Sequence, residues 1–232
     1  MCGISGIINF EGSVFDTSIL KGMMKLIKHR GPDDEGIYNN NNVSIGHVRL
    51  SIIDLSKNGH QPMFDASKRF LISYNGEIYN FKEIRKELIH LGYSFYSKTD
   101  TEVILYSYIE WGKNCVEKFN GMWAFVIFDT FEHSLFLSRD RYGIKPLYYF
   151  INNQFLIFSS EIRPVAYALK SLKIFNQISP NHQNIFDYLL FNRTDHNEET
   201  FFNKIKKLKH GHNLIAFDRS KDNINIKLDK TW

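Results

Sequence analysis

Gly121-Met-Trp-Ala-Phe-Val-Ile-Phe-Asp129 is apolar without a break from Met122 to Phe128. A strand with one face in water alternates apolar and polar residues. A run with no polar face predicts a strand buried on both sides. Glu132-His133 then turns the chain into a second apolar segment over residues 134–138. Doubly buried strands joined by a hairpin need a second sheet on one face and helices on the other.

Working outward, hairpin signals recur. Residues 37–38 and 43–50 flank an Asn39–Asn42 loop, residues 147–151 and 154–159 flank Asn152-Asn153, and residues 213–218 and 224–228 read as a closing pair. Helical spacing marks residues 17–28, with Ile19, Leu20, Met23, Met24, Leu26 and Ile27 on one face and Gly31-Pro32 as the stop. Residues 161–169 and 181–191 read as two more helices. Strands and helices do not alternate regularly, which disfavours a doubly wound parallel sheet. The expected fold is α+β: a four-layer αββα sandwich of two mainly antiparallel sheets between helical layers, formed by residues 2–232 as one domain.

Three local signals bear on function as well as on fold. Asp33-Asp34-Glu35-Gly36 reads as a polar turn and residues 69–74 as a strand, which runs into Asn75-Gly76, a strong turn dipeptide. Asn80 and Glu83 have capping-box spacing for a helix whose apolar face is Ile84, Leu88, Ile89 and Leu91. A strand–turn–helix junction at Asn75-Gly76 would offer backbone N–H groups to an anion, and a bare turn is the plainer reading. Residues 93–97 read as a short strand. Thr99 and Glu102 repeat the capping spacing and put Asp100 at a helix N-terminus. A carboxylate is favoured there whether or not it binds anything.

The chain begins Met1-Cys2-Gly3-Ile4-Ser5-Gly6. Removal of Met1 would give Cys2 both a thiol and a free α-amine, a nucleophile beside a weak base. The plainer alternative is a buried cysteine at the head of a strand over residues 2–10.

Composition narrows the class. The net charge is +4, and Lys204-Ile205-Lys206-Lys207-Leu208-Lys209 interleaves its cations with apolar residues, reading as a solvated face or hairpin edge rather than a nucleic-acid patch. Two cysteines, Cys2 and Cys115, give neither a CxxC pair nor a disulfide framework and fit a reducing cytoplasm. No apolar run of about 18 residues is present to span a bilayer, and Ser5, Asn9, Glu11 and Asp16 break any signal-peptide core. His29, His47 and His60 lack metal-ligand spacing, and no metal is expected. Cys115 reads as core, and His29-Arg30 as ordering the loop after the first helix.

Ten motifs occur in order: Cys2-Gly-Ile-Ser-Gly6, His29-Arg-Gly-Pro-Asp33, Arg49-Leu-Ser-Ile-Ile-Asp54, Gln61-Pro62, Asn75-Gly-Glu-Ile-Tyr-Asn80, Thr99-Asp-Thr-Glu-Val-Ile104, Gly121-Met-Trp-Ala-Phe125, Arg139-Asp-Arg-Tyr-Gly143, Lys145-Pro-Leu-Tyr-Tyr149 and Ser159-Ser-Glu161. With a weaker echo at Gly211-His212 and Trp232, they resemble the glutaminase domain of glutamine-hydrolysing asparagine synthetases. These are class II glutamine amidotransferases, which are N-terminal nucleophile hydrolases.

The resemblance implies that Cys2 attacks L-glutamine with its own amine as base, and that Asn75 and Gly76 N–H form the oxyanion hole. It implies that Arg49 clamps the α-carboxylate. Asp100 would hold the α-ammonium with help from Glu77 and the main chain of Leu50, Ser51, Ile52 and Ile53. Glutamate and ammonia would form through a thioester. The Ser-Gly-Gly-x-Asp-Ser loop of a synthetase domain is absent from this sequence. ATP and magnesium are therefore expected only in a synthetase domain or subunit that takes the ammonia, and the chain reads as a piece cut short of it. A homodimer fits such a protein, whereas nucleic acid and membrane are not expected partners. The rival readings are an amidotransferase with a sugar or polysaccharide carboxylate as acceptor, and a glutamine-binding module without turnover.

Overall fold

The computed structural model describes residues 1–12, 16–217 and 225–231. β6 (Gly121–Asp129) lies inside a six-stranded sheet, antiparallel to β5 (Phe70–Ile78) on one side and β7 (Ser134–Arg139) on the other. β4 (Met63–Phe64) extends the sheet beyond β5. β11 (His212–Phe217) and β12 (Asn225–Lys230) extend it beyond β7. The second six-stranded sheet runs β10 (Ile205–Lys207), β8 (Tyr148–Ile151), β9 (Phe155–Ser159), β1 (Gly3–Asn9), β3 (Val43–Arg49) and β2 (Asp34–Asn40), again antiparallel throughout.

β6 is buried on both faces, as its composition predicts. Ala124, Val126 and Phe128 point between the sheets, among Leu71, Leu137, Ile4, Ile8, Ile45 and Phe158. Trp123, Phe125 and Ile127 point outward into a core shared with α2 (Phe81–His90) and α3 (Asp100–Trp111). Burying each large side chain completely contributes roughly 1.5–3 kcal/mol, so neither face of this strand tolerates solvent. A third core joins the other sheet to α1 (Ser18–Leu26) and α4 (Ile162–Ser171) through Ile7, Leu20, Met23, Val165 and Leu169. Three apolar cores separate four layers, which is the αββα sandwich.

Several local expectations are corrected. Asn75-Gly76 is not a turn. β5 continues to Ile78, with Asn75 opposite Ala124 and Gly76 opposite Trp123. Asp34–Gly36 is strand, opposite Arg49 to His47, rather than a polar turn. Asn80 does not cap α2 through its side chain, which instead bonds the Lys118 carbonyl and the Asn120 N–H. Ile89 and Leu91 are exposed, leaving Ile84 and Leu88 as the buried face of α2. Residues 93–97 form no strand, since the Glu102 carboxylate accepts the N–H groups of Tyr96 and Ser97. The first helix closes at Leu26 and a 3-10 turn, Lys28–Arg30, follows.

Other expectations hold. Thr99 caps α3 by accepting the Glu102 N–H. α5 (His182–Phe191) forms, and the lysine-rich run supplies edge strand β10. Within it Lys207 is buried and paired with Asp195. The closing hairpin is β11–β12, and Asp218, Ile224 and Trp232 lie outside the described residues.

Candidate active site

Cys2 sits one residue before β1, and β1 pairs with β3 so that Gly3 faces Val48. This register delivers the Cys2 thiol to the residue just past β3. Cys2 Sγ lies 3.4 Å from Leu50 N and 3.6 Å from Leu50 O. Arg30 holds the same residue from the other side, its Nε donating to the Cys2 carbonyl at 3.0 Å. Burial pushes the Cys2 thiol above its ordinary value, and the Leu50 N–H, the terminal ammonium and Arg49 pull the other way. The thiol therefore needs a base to ionise near neutral pH.

Arg49 ends β3 and is buried. Its guanidinium donates to the Ser56 carbonyl at 3.1 Å and to the Asp54 carbonyl, so the loop after β3 wraps around it. Gly59 makes that possible, because a Cβ there would occupy the space of the guanidinium. Asp54 braces the loop by accepting the N–H groups of Ser56 and Lys98. The Ser56 and Lys98 hydrogen bonds pull its carboxyl down to about 2.

From the facing sheet, β5 contributes Tyr74, Asn75, Gly76 and Glu77. Asn75 is 1% exposed, and its side-chain Nδ2 is buried without a hydrogen-bond partner among the described residues. Such a donor costs free energy unless something outside the folded chain accepts from it. Gly76 lies against the Met122 carbonyl of β6, with which any Cβ would collide. Asp100, the first residue of α3, accepts from Tyr74 Oη at 2.8 Å and Ile78 N at 3.0 Å. Burial raises its carboxyl against those two hydrogen bonds.

These groups line one pocket of about 90 Å³. It gathers Cys2, Arg49, Leu50, Ile52, Ile53, Asn75, Gly76, Glu77 and Asp100. Ser51 is outside the lining, with its N–H on Asp33 Oδ2 at 2.8 Å. The sequence reading missed Gly59, Tyr74, Thr101 and Met122 as walls, and Lys145 as a buried cation in the pocket. Lys145 stands inside a quoted motif, and a lysine amid Ile144, Pro146 and Leu147 was the available signal. His29 and Arg30 do order the loop after α1, since both bond Glu161. Cys115 is fully buried in the outer core. The described residues hold no cluster of three or more metal-ligating side chains.

The fold is that of the N-terminal nucleophile amidotransferases. A phosphoribosylpyrophosphate amidotransferase from B. subtilis, solved with ADP and GMP, superposes with a TM-score of 0.69 at 17% identity, over 100% of this chain and 49% of that one. The chain belongs to the glutamine amidotransferase domain family, which it matches over residues 1–227. It is 43% identical to a putative glutamine-hydrolysing asparagine synthetase 2 of Methanocaldococcus jannaschii, across 97% of this chain and 45% of that protein. It is 40% identical to asparagine synthetase 3 of Bacillus subtilis, across 71% of this chain and 27% of that protein. The chain thus spans less than half the length of these relatives, and its family match is to a glutamine amidotransferase domain, as the sequence motifs indicate.

Proposed function

We propose that the chain hydrolyses L-glutamine to L-glutamate and ammonia through a Cys2 thioester, and supplies the ammonia to an ATP-dependent synthetase that makes asparagine from aspartate. The observation that carries the reading is the buried, unpartnered Asn75 Nδ2 in the pocket that holds the Cys2 thiol. A donor kept dry and unpaired is what a developing oxyanion requires.

The positions of the groups support these steps. Arg49 and Asp100 hold the α-carboxylate and α-ammonium of glutamine, with Glu77, Leu50, Ile52 and Ile53 as walls. With Met1 removed, the Cys2 amine takes the thiol proton and Sγ attacks the side-chain carboxamide carbon. The carbonyl oxygen becomes an oxyanion against Asn75 Nδ2 and Gly76 N–H. Collapse of this intermediate passes the proton to the leaving nitrogen, releasing ammonia and leaving a glutamyl thioester. Water then cleaves the thioester to glutamate and regenerates the thiol. No cofactor takes part in these steps. ATP and magnesium belong to the synthetase part that uses the ammonia, and a reducing cytoplasm suits a thiol nucleophile.

In the Met1-free chain, Cys2→Ala abolishes glutamate release from glutamine without lowering the melting temperature, because the side chain is small and only half-buried. Glutamate release at the wild-type rate from that variant would overturn the reading.

A further inference from the structure

Lys145 is 94% buried, being 6% exposed, and lines the pocket beside Cys2. Its main chain is pinned on both sides: its N–H donates to Asp140 Oδ2 at 3.0 Å and its carbonyl accepts from Arg139 Nε at 2.8 Å. The backbone that carries the side chain is therefore fixed at the pocket. It makes no ion pair among the described residues, and the contact of its Nζ is Met1 Sδ at 3.3 Å. A thioether is a weak acceptor and does not neutralise a buried cation. Met1 is covalently bound to the Cys2 nitrogen, so a lysine that touches its side chain lies within a side chain's reach of that nitrogen.

Resting on the reading of Cys2 as nucleophile, we propose that Lys145, released when Met1 leaves, acts on the new Cys2 α-amine through its positive charge and keeps that amine uncharged at neutral pH. An ordinary α-amine titrates near pH about 8 and is mostly protonated at pH 7, when it cannot accept the thiol proton. A neighbouring cation disfavours the ammonium form and restores the base.

The other charges around the pocket leave this role to Lys145. Arg30, from the 3-10 turn, also donates to the Cys2 carbonyl at 3.0 Å, but its charge is offset by Glu161, which it shares with His29 and Arg163. Arg49, at the end of β3, is turned to the carbonyls of Asp54 and Ser56. Asp140, after β7, is occupied by the N–H groups of Trp123, Tyr142, Ile144 and Lys145. Asp100, on α3, accepts from Tyr74 and Ile78 through Oδ2 and holds the substrate ammonium in the proposed mechanism. Glu77, on β5, is the carboxylate that opposes Lys145 across the pocket. Burial and Arg30 lower the Lys145 ammonium, while Asp140, Glu77 and the Cys2 thiol hold it up. Lys145 is thus a positioning residue that works through the amine and not on glutamine.

The test is the pH profile of kcat/KM for glutamine in the Met1-free chain. Lys145→Met keeps the length of the side chain and removes the charge. Its acid limb is expected to move to higher pH by about one unit, with about a tenfold loss at pH 7 that closes on the alkaline side. Lys145→Arg is expected to keep the wild-type limb. Thermal melting of both variants monitors folding. A Lys145→Met profile that overlays the wild type overturns the proposal, as does one lowered by the same factor at every pH, which marks a packing defect. A Met1-free wild type that is inert to glutamine and unlabelled at Cys2 by a glutamine-like electrophile overturns the nucleophile reading itself, and this inference with it.

Discussion

In the proposed mechanism Asn75 and Arg49 divide the handling of glutamine between chemistry and binding, and each makes a separate prediction. Asn75 Nδ2 has no partner among the described residues, so in the proposed mechanism its hydrogen bond forms with the reacting carbonyl. Asn75→Ala is expected to lower kcat about 100- to 1,000-fold with little change in KM, measured by glutamate release. A raised KM with kcat unchanged would place Asn75 in ground-state binding instead. Arg49 commits donors to Ser56 and Asp54 and keeps others for the substrate carboxylate, which a five-donor planar group can do. Lysine has three donors at one point and cannot serve both. Arg49→Lys is expected to raise KM roughly ten- to hundredfold, the cost of a charge-assisted hydrogen bond, with a smaller effect on kcat.

At the scale of elements, legibility depended on whether the controlling partner was local. β6 and the main helices were readable because burial periodicity is written within each segment. The Thr99 cap was readable because its acceptor and donor are three residues apart. Asn75-Gly76 was misread because its turn chemistry is local, whereas the strand partner that overrides it, Met122–Ala124, is distant in sequence. Asn80 was misread for the same reason, its amide being claimed by Lys118 and Asn120.

The sheets also meet through an unforeseen polar contact, His47 Nδ1 of β3 to Ser73 Oγ of β5 at 3.0 Å. Burial, helped by Arg49, lowers the His47 imidazole from 6.5 to about 3. Below pH about 6.5 the unfolded chain binds a proton that the folded chain refuses. Stability from neutral His47 is therefore complete above that pH, falls with decreasing pH, and stops falling near pH 3, where the folded protein takes up the proton as well. Between pH 6.5 and 5, wild type is expected to lose about 2 kcal/mol more than His47→Gln, from urea melts at each pH. Parallel pH dependences would show that His47 is not excluded from protonation.

Across the whole molecule, the site exists only because two sheets bring together segments that are far apart in sequence. Cys2 meets Leu50 through the β1–β3 register, Asn75 arrives from the opposite sheet, and Asp100 from the helical layer outside it. The motifs named most of these residues, but neither their convergence nor the buried Lys145 could be read before the registers were known. The same architecture separates the fold from the proposed activation. β1 is buried along its length from Gly3 onward, whereas Met1 is 54% exposed and adds one thioether contact. A short tag ahead of Met1 therefore disturbs a solvent-facing end and leaves the cores untouched. It also leaves an amide at the Cys2 nitrogen, which cannot accept the thiol proton. The tagged chain is expected to melt within about 2 °C of the Met1-free chain and to release no glutamate from glutamine. Proteolytic trimming that leaves Cys2 as the first residue should restore glutamate release with no change in melting. Equal activity before and after trimming would remove the α-amine from the mechanism and assign the base to another group in the pocket.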